Sequence, residues 1–186
     1  GLEVSQLRQQ GQEPAGLLAR RYALASKAAL NELPKRLGGR LRYIVCGGAP
    51  LSPRLAEWFH AFSLQVLEGY GMTETCAAVT LNTPQRYKFG TVGRPIDGVE
   101  LALAEEGEIL VRSLTLMSGY HGDPESTSRI IDKDGWLHTG DIGKIDEDGF
   151  LMITDHKKDI IVNAGGDNIA PQRIEGFLTL QPEIAQ

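Results

Sequence analysis

The sequence has little of what secreted, membrane-spanning or nucleic-acid-binding proteins need. Its 186 residues include only two cysteines, Cys46 and Cys76, without CxxC spacing, so a disulfide framework is not expected. No run approaches the roughly 18 apolar residues of a membrane span, and no secretory signal pattern opens the chain. The net charge of −5 argues against a general nucleic-acid binder. These absences predict a cytoplasmic globular protein with no nucleic-acid partner.

Several catalytic motifs are also absent. The sequence contains neither a GxxxxGK[S/T] phosphate loop nor a GxSxG nucleophile elbow. The four histidines lack HExxH spacing and do not cluster with the cysteines as metal ligands would. The sequence therefore does not support a P-loop NTPase, a serine hydrolase of the GxSxG type or a zinc protease of the HExxH type.

The most informative segment is Glu68-Gly69-Tyr70-Gly71-Met72-Thr73-Glu74, which follows the apolar run 64–67. Its glycines allow the backbone to approach a ligand closely, its tyrosine offers a flat face for a base, and its threonine offers a hydroxyl for a phosphate oxygen. Glu74 supplies the hard oxygen that Mg²⁺ prefers beside substrate phosphates and water. Each residue alone has an ordinary explanation, such as a core tyrosine or an acidic helix start. Their combination predicts a nucleotide site with magnesium.

Other segments place this one in a known superfamily. They are Gly47-Gly48-Ala49-Pro50 and the runs DGWLHTGD at 134–141, DHKKD at 155–159 and AGGDNI at 164–169. Together with the tyrosine segment they resemble the adenylate-forming, or AMP-binding, superfamily. Within it the chain most resembles bacterial long-chain fatty acyl-CoA synthetases, from Leu41 or thereabouts to the C-terminus.

The resemblance implies an ATP-dependent acid–thiol ligase. Such an enzyme joins a fatty acid to AMP with release of pyrophosphate and then passes the acyl group to coenzyme A, so ATP, Mg²⁺ and coenzyme A are the expected cofactors and substrates. A fatty-acid substrate could bring the parent enzyme to a membrane surface. The family's Ser/Thr/Gly-rich phosphate loop and C-terminal catalytic lysine are missing from these residues. We therefore expect a fragment of a longer synthetase, inactive by itself.

The resemblance also implies a role for each matching residue. The turn Gly47-Gly48-Ala49-Pro50 would line the adenine and Tyr70 would stack on it, with Glu68, Gly69, Gly71 and Met72 completing that side of the site. Thr73 would hold the α-phosphate and Glu74 the metal, both as catalytic residues. Asp141 would accept hydrogen bonds from both ribose hydroxyls, a role that suits an ionised carboxylate because it can only accept hydrogen bonds. A tight strand-to-helix turn alone would also explain Gly47 and Gly48.

Three further assignments lie near the C-terminus. Lys158 aligns with the family's hinge, where backbone rotation swaps the adenylation and thioester-forming poses. Gly165 and Gly166 resemble the loop that borders the pantetheine channel. An exposed charged linker would also explain the residues around Lys158, and a hairpin turn would also explain the two glycines.

His156 stands where most family members carry an arginine that contacts the nucleotide. Arginine is a permanently charged, fork-shaped donor, whereas histidine is mostly neutral at pH 7 and donates at most two hydrogen bonds. We expect this nucleotide contact to be weaker here, pH-dependent, or replaced by one from Lys157.

Sequence periodicity predicts an α/β fold followed by a β subdomain. Residues 14–37 have helical spacing, 41–46 suit a buried parallel strand, and 64–67 the next strand. Between those strands Ser52-Pro53 opens a helix with Leu55, Trp58, Phe59 and Phe62 on one apolar stripe.

The later residues predict β-hairpins and a change of domain. Strands flank the turns 104–107 and 146–149, and a short helix starts at Asp123-Pro124-Glu125. We expect three parts: the end of a large α/β AMP-binding domain with a mixed or parallel sheet at 1–89, a distorted β-barrel subdomain at 90–154, and the hinge with the start of a small α+β domain at 155–186. Residues 171–180 are predicted as helix in the last part.

Two other functions fit the same residues. One is an adenylation domain that loads a carrier protein instead of coenzyme A. The other is a module that binds adenine nucleotide or a partner protein without turnover, which is the behaviour expected of these residues without the phosphate loop and the lysine.

Overall fold

The computed structural model describes residues 2–9, 12–25, 32–157, 161–162 and 168–169, which form two compact units. The described residues up to Tyr70 and those of Leu81–Gly93 form the first unit, and Gly71–Thr80 with the described residues from Arg94 onward form the second. The helices and strands of the first unit are α1 (Leu2–Gln9), α2 (Gly16–Ala25), α3 (Glu32–Arg36), β1 (Tyr43–Cys46), α4 (Pro53–Ala61) and most of β2 (Gln65–Met72).

The second unit is mainly β structure. Its elements are most of β3 (Ala77–Leu81), then β4 (Arg94–Pro95), β5 (Val99–Leu103), β6 (Glu108–Ser113), α5 (Pro124–Ile130), β7 (Leu137–Ile145), β8 (Leu151–His156), β9 (Ile161–Val162) and β10 (Asn168–Ile169).

The first unit contains the predicted parallel strands. β1 pairs with β2 in parallel, with Tyr43 opposite Gln65 and Cys46 opposite Glu68. The prediction that β1 is buried is wrong, because Val45 is 60% exposed and Tyr43 is also exposed. These two residues share one face of the pleated strand, and no described element covers that face.

The predicted helix 14–37 is confirmed for α2 and α3, whereas residues 14, 15 and 37 lie outside these helices. Pro34 lies inside the first turn of α3, where its missing N–H costs no helical hydrogen bond. The helix α4 begins after Ser52 with proline at its first position, as predicted.

The apolar stripe of α4 is not its buried side. The helix buries Ala56, His60 and Ala61, whereas Leu55 and Trp58 of the predicted apolar stripe stay exposed. An apolar stripe of this kind usually faces the core. The inward side of the helix instead faces α1, and it carries the buried side chain of His60.

A buried polar chain holds α1 against α4. Ser5 lies 2.6 Å from Nδ1 of His60, and the hydroxyl of Tyr87 lies 2.8 Å from Nε2 of the same ring. Burial, with a smaller contribution from the charge of Arg8, lowers the pKa of His60. The imidazole therefore favours its neutral form, which can accept at one nitrogen and donate at the other.

The second unit contains both predicted hairpins in one antiparallel sheet of order β5-β6-β7-β8. The turn 104–107 joins β5 to β6 and the turn 146–149 joins β7 to β8. Ile109, Val111, Leu137 and Leu151 are fully buried and form the core of this sheet. Together with the helices and parallel strands of the first unit, this sheet confirms the predicted fold class.

The remaining elements are short. α5 begins where predicted, because Ser126 N–H donates to the Asp123 carboxylate at 2.9 Å and caps the helix. β9 and β10 pair antiparallel, while the predicted helix at 171–180 lies outside the described residues. In the described ranges, no helix combines the length and the apolar character needed to cross a bilayer.

Candidate nucleotide site

The first unit brings the double-glycine turn against Gly69 of β2. The parallel pairing sets Cys46 opposite Glu68, so the turn that follows Cys46 leaves the sheet beside Gly69, within the C-terminal half of β2. The approach is close, since a Cβ added to Gly47 would lie 3.0 Å from the carbonyl oxygen of Gly69. Ligands of α/β sheets bind at the carboxyl ends of such strands. The structure therefore joins Gly47–Pro50 and Glu68–Tyr70, while their contact with adenine stays a prediction.

Glu68 ties this turn to β2. Its carboxyl group is buried, only 8% exposed, and accepts a hydrogen bond from the backbone N–H of Leu51. Burial raises the pKa of Glu68 to about 7, and the hydrogen bond from Leu51 opposes that rise only in part. Glu68 therefore changes its protonation state near neutral pH.

Tyr70 is as buried as a core tyrosine would be, with 8% of its surface exposed. Its predicted stacking on a base stays a prediction. Tyr70 belongs to the first unit, and Glu74 and Asp141 belong to the second. That these three residues enclose one adenosine is likewise a prediction.

Thr73 and Glu74 lie in a short 3₁₀ turn, residues 73–75, directly after β2. The turn is fixed by Thr75, whose hydroxyl accepts the N–H of Met72 at 3.0 Å and donates to the carbonyl of Ala77 at 2.6 Å. Gly71 is required beside it, because a Cβ there would lie 2.1 Å from the same carbonyl oxygen. Thr73 is exposed and Glu74 half-buried, so both side chains can reach a ligand.

Glu74 has a partner that the sequence analysis missed. The hydroxyl of Tyr120 donates to Oε1 of Glu74 at 2.7 Å, and the N–H of Met117 donates to the Glu74 carbonyl at 2.8 Å. This hydrogen bond and the negative charge of Glu74 raise the pKa of Tyr120, so the phenol stays a donor. The two residues are 46 positions apart in the sequence, so no local pattern could have predicted the contact.

The carboxylate of Glu74 suits a magnesium ion that is bound together with substrate better than a metal ion held by protein ligands alone. Among the described residues, no group of three or more His, Cys, Asp or Glu side chains could hold a metal ion by itself. Mg²⁺ commonly takes one or two protein carboxylates and completes its shell with substrate phosphates and water. A single half-buried carboxylate suits that arrangement.

Asp141 and His156 face each other on neighbouring strands. They are register partners between β7 and β8, and Nδ1 of His156 is hydrogen-bonded to Oδ1 of Asp141. Asp141 is largely buried, while His156 is half-buried. Two residues predicted separately as nucleotide contacts are thus one hydrogen-bonded pair.

A second missed residue, Glu108, lies beside this pair. Its buried carboxylate accepts the N–H of Gly140 at 3.0 Å and lies 3.4 Å from the amine of Lys157 and 3.4 Å from Nδ1 of His138. Burial alone would raise the pKa of Glu108, but hydrogen bonds from Gly140 and His138 and the charge of Lys157 together hold it below its usual value. Lys157 N–H also donates to the carbonyl of Gly140 at 2.7 Å. These contacts fix the turn immediately before Asp141.

The predicted hinge residue Lys158 and the predicted channel glycines Gly165 and Gly166 lie outside the described residues. Their roles remain predictions.

Comparison with known proteins agrees with the motifs. The sequence pattern of the family described as AMP-binding enzyme matches residues 12–121. The chain is 43% identical to a long-chain-fatty-acid–CoA ligase (FadD15) of Mycobacterium bovis over 93% of the chain and 29% of that protein, and 38% identical to long-chain-fatty-acid–CoA ligase 6 of Homo sapiens over 100% of the chain and 28% of that protein. Among solved structures, O-succinylbenzoate coenzyme A synthetase (MenE) of Bacillus subtilis, in complex with ATP and magnesium ion, matches with a TM-score of 0.73 at 30% identity, covering 89% of this chain and 36% of that one. The chain therefore spans less than a third of the length of these two curated relatives.

Replacing Glu68 by glutamine should change how stability depends on pH. The folded-state pKa of about 7 lies above the ordinary glutamate value of 4.5, so the stability that protonated Glu68 contributes is complete below pH 4.5 and is lost as pH rises through 7. Glu68→Gln lacks this loss, so its advantage over wild type should grow to about 3 kcal/mol by pH 8. Urea unfolding from pH 4 to pH 8 measures it. Glu105→Gln, at an exposed carboxylate, is the control, and equal pH profiles for Glu68→Gln and wild type would contradict the assignment.

Replacing His156 by arginine should tighten nucleotide binding. Arginine can keep the contact with Asp141 and still present further charged donors to the ligand, which predicts about tenfold higher affinity for AMP. Isothermal titration calorimetry with AMP is the measurement. His121→Arg adds the same charge elsewhere in the second unit and should change the affinity little. An unchanged AMP dissociation constant in His156→Arg would show that this position does not reach the nucleotide.

Proposed function

Because this chain belongs to the AMP-binding enzyme family, we propose that it is part of an ATP-dependent long-chain fatty acid–CoA ligase. The proposed reaction has two steps. A fatty-acid carboxylate first attacks the α-phosphorus of ATP and displaces pyrophosphate, and the thiol of coenzyme A then attacks the acyl carbon and displaces AMP. The names of the Mycobacterium bovis and human relatives support this substrate class. Because the chain spans 29% and 28% of those proteins, the activity is proposed for a longer protein.

The observation that carries the proposal is the close approach of the Gly47–Pro50 turn to the C-terminal half of β2. Parallel pairing puts the turn, at the carboxyl end of β1, beside the C-terminal half of β2, and nucleotides bind at the carboxyl ends of strands in α/β folds. The backbones of Gly47 and Gly69 lie so close that a Cβ on Gly47 would press on the carbonyl oxygen of Gly69, and glycine avoids this contact. A flat adenine between this turn and Tyr70 suits that geometry.

Thr73, Glu74 and Asp141 would supply the polar contacts of the first step. Negative charge on the phosphate oxygens resists attack by a carboxylate, so positioning and electrostatic stabilisation supply the rate. Thr73 would donate its hydroxyl to the α-phosphate, and Glu74 would hold Mg²⁺. When bound, the magnesium ion would neutralise charge on the phosphate oxygens. Asp141, oriented by His156 and by the turn that Glu108 fixes, would accept the ribose hydroxyls.

Coenzyme A is the proposed acceptor, in preference to a carrier protein. The matched mycobacterial and human relatives are named as CoA ligases, and MenE, the matched solved structure, is a coenzyme A synthetase. We place the reaction in the cytoplasm, where ATP and coenzyme A are both available. Peripheral contact of the longer enzyme with a membrane would give it access to its fatty acid.

The assignment of Asp141 predicts selective binding of ribonucleotide. AMP should raise the melting temperature of the chain more than 2′-deoxy-AMP does, because the deoxynucleotide lacks one of the two hydroxyls. Asp141→Ala should abolish the shift with AMP, and Tyr70→Ala should do the same through loss of stacking. Asp134→Ala, which removes an exposed carboxylate from a turn, should behave like wild type. Retention of the AMP shift in Asp141→Ala would refute the ribose assignment.

The ligase proposal itself predicts activity that needs the longer protein. Residues 1–186 should show no ATP–pyrophosphate exchange, whereas the complete protein should exchange in the presence of a long-chain fatty acid and release an acyl-CoA when coenzyme A is added. Robust exchange by residues 1–186 would contradict the requirement for further residues. A complete protein that forms a thioester on a carrier protein and none with coenzyme A would contradict the proposed acceptor.

A further inference from the structure

Tyr120 and Glu74 lie 46 residues apart in the sequence, but their side chains share a hydrogen bond of 2.7 Å. We propose that Tyr120 is a positioning residue that orients the carboxylate of Glu74 for magnesium. The inference rests on the proposed function, which assigns Glu74 to the metal. It adds to that function a residue from a distant loop that none of the sequence motifs contains.

The loop fixes Glu74 at two points. Met117 N–H donates to the main-chain carbonyl of Glu74 at 2.8 Å, and the phenol of Tyr120 donates to Oε1 of its carboxylate. A glutamate side chain otherwise has considerable rotamer freedom, which it loses when it binds a ligand. The other carboxylate oxygen, Oε2, has no hydrogen-bond partner among the described residues. The contact therefore sets the orientation of the carboxylate and leaves an oxygen for the metal.

Tyr120 is itself held by the start of α5. Its N–H donates to the hydroxyl of Thr127 at 2.9 Å, and that hydroxyl donates to the carbonyl of Asp123 at 2.9 Å. Asp123 also caps the helix through Ser126. The backbone of Tyr120 is thus attached to a helix terminus, so its phenol is presented from a defined position.

Gly119 makes this attachment possible. It has a φ of +140°, and a Cβ there would lie 2.9 Å from both the Oγ1 and the Cγ2 of Thr127. Only glycine avoids that overlap and adopts such a φ without strain. The close approach of this loop to Thr127 therefore requires a glycine directly before Tyr120.

Magnesium binding should depend on this orientation. Mg²⁺ requires near-ideal octahedral geometry, so a ligand free to rotate binds it less well than one already in place. Residues that hydrogen-bond to metal ligands commonly affect metal affinity for this reason. Because Tyr120 is partly exposed, we expect the loss of its hydroxyl to weaken metal binding about threefold to tenfold.

The experiment compares Tyr120→Phe with wild type in the complete protein that carries this chain. Manganese is the probe, with α,β-methylene-ATP as a nucleotide whose reactive bond cannot be cleaved, and free Mn²⁺ is measured by electron paramagnetic resonance. Glu74→Gln serves as the reference for loss of the ligand. Tyr43→Phe removes an exposed phenol from β1 and is the matched control. The Mg²⁺ concentration that half-saturates pyrophosphate exchange is the second readout, with the KM for fatty acid and the melting temperature measured alongside.

We expect a threefold to tenfold higher Mn²⁺ dissociation constant and Mg²⁺ requirement in Tyr120→Phe, with the fatty-acid KM unchanged. Wild-type metal binding in Tyr120→Phe together with weakened binding in Glu74→Gln would overturn the inference and leave the proposed function intact. A lower melting temperature with wild-type metal binding would also overturn it, because that result describes a structural role alone. Wild-type metal binding in both variants would refute the metal role of Glu74, and the inference with it.

Discussion

The arrangement around Asp141 depends on the buried carboxylate of Glu108. A buried charge is costly unless it is paired and hydrogen-bonded, so the groups that satisfy it cannot move away freely. Those groups are the N–H of Gly140, directly before Asp141, and the amine of Lys157, directly after β8. Lys157 then returns a backbone hydrogen bond to Gly140. The position of Asp141 is therefore fixed by the need to satisfy one charge as well as by strand pairing.

The same contacts bear on the proposed hinge. Lys157 is held by its backbone bond to Gly140 and by carboxylates of Glu106 at 3.2 Å and Glu108 at 3.4 Å. These ties attach it to the sheet that contains β6 and β7. A backbone rotation at Lys158, the predicted hinge, would begin at the first residue beyond them. Glu74 is held in a similar way. Met117 binds its main chain and Tyr120 binds its side chain, and neither residue has a proposed catalytic role.

Local patterns in the sequence predicted the parts of the fold that are set locally. The hairpin turns 104–107 and 146–149 and the cap at Asp123 each depend on a few neighbouring residues, and the structure confirms them. The burial of β1 and of the Leu55–Trp58 stripe depends on what covers them, which periodicity does not encode. The contacts of Glu74 with Tyr120 and of Glu108 with Lys157 span 46 and 49 residues, so no local spacing could indicate them. The motifs named the candidate ligand residues, and only the folded chain shows what holds them.

The pair of His156 and Asp141 bears on how the missing arginine is compensated. The sequence left open whether Lys157 could take over the nucleotide contact. In the structure the amine of Lys157 is engaged by Glu106 and Glu108, and the hydrogen bond to Glu106, with the charge of Glu108, raises the pKa of Lys157. Recruiting it to a phosphate would leave the buried carboxylate of Glu108 without its cation, which argues against that exchange. His156 uses Nδ1 on Asp141 and has one ring nitrogen left for a ligand, whereas arginine has five N–H donors. The histidine therefore keeps a hydrogen bond to the proposed ribose-binding carboxylate and would offer a nucleotide fewer donors than an arginine.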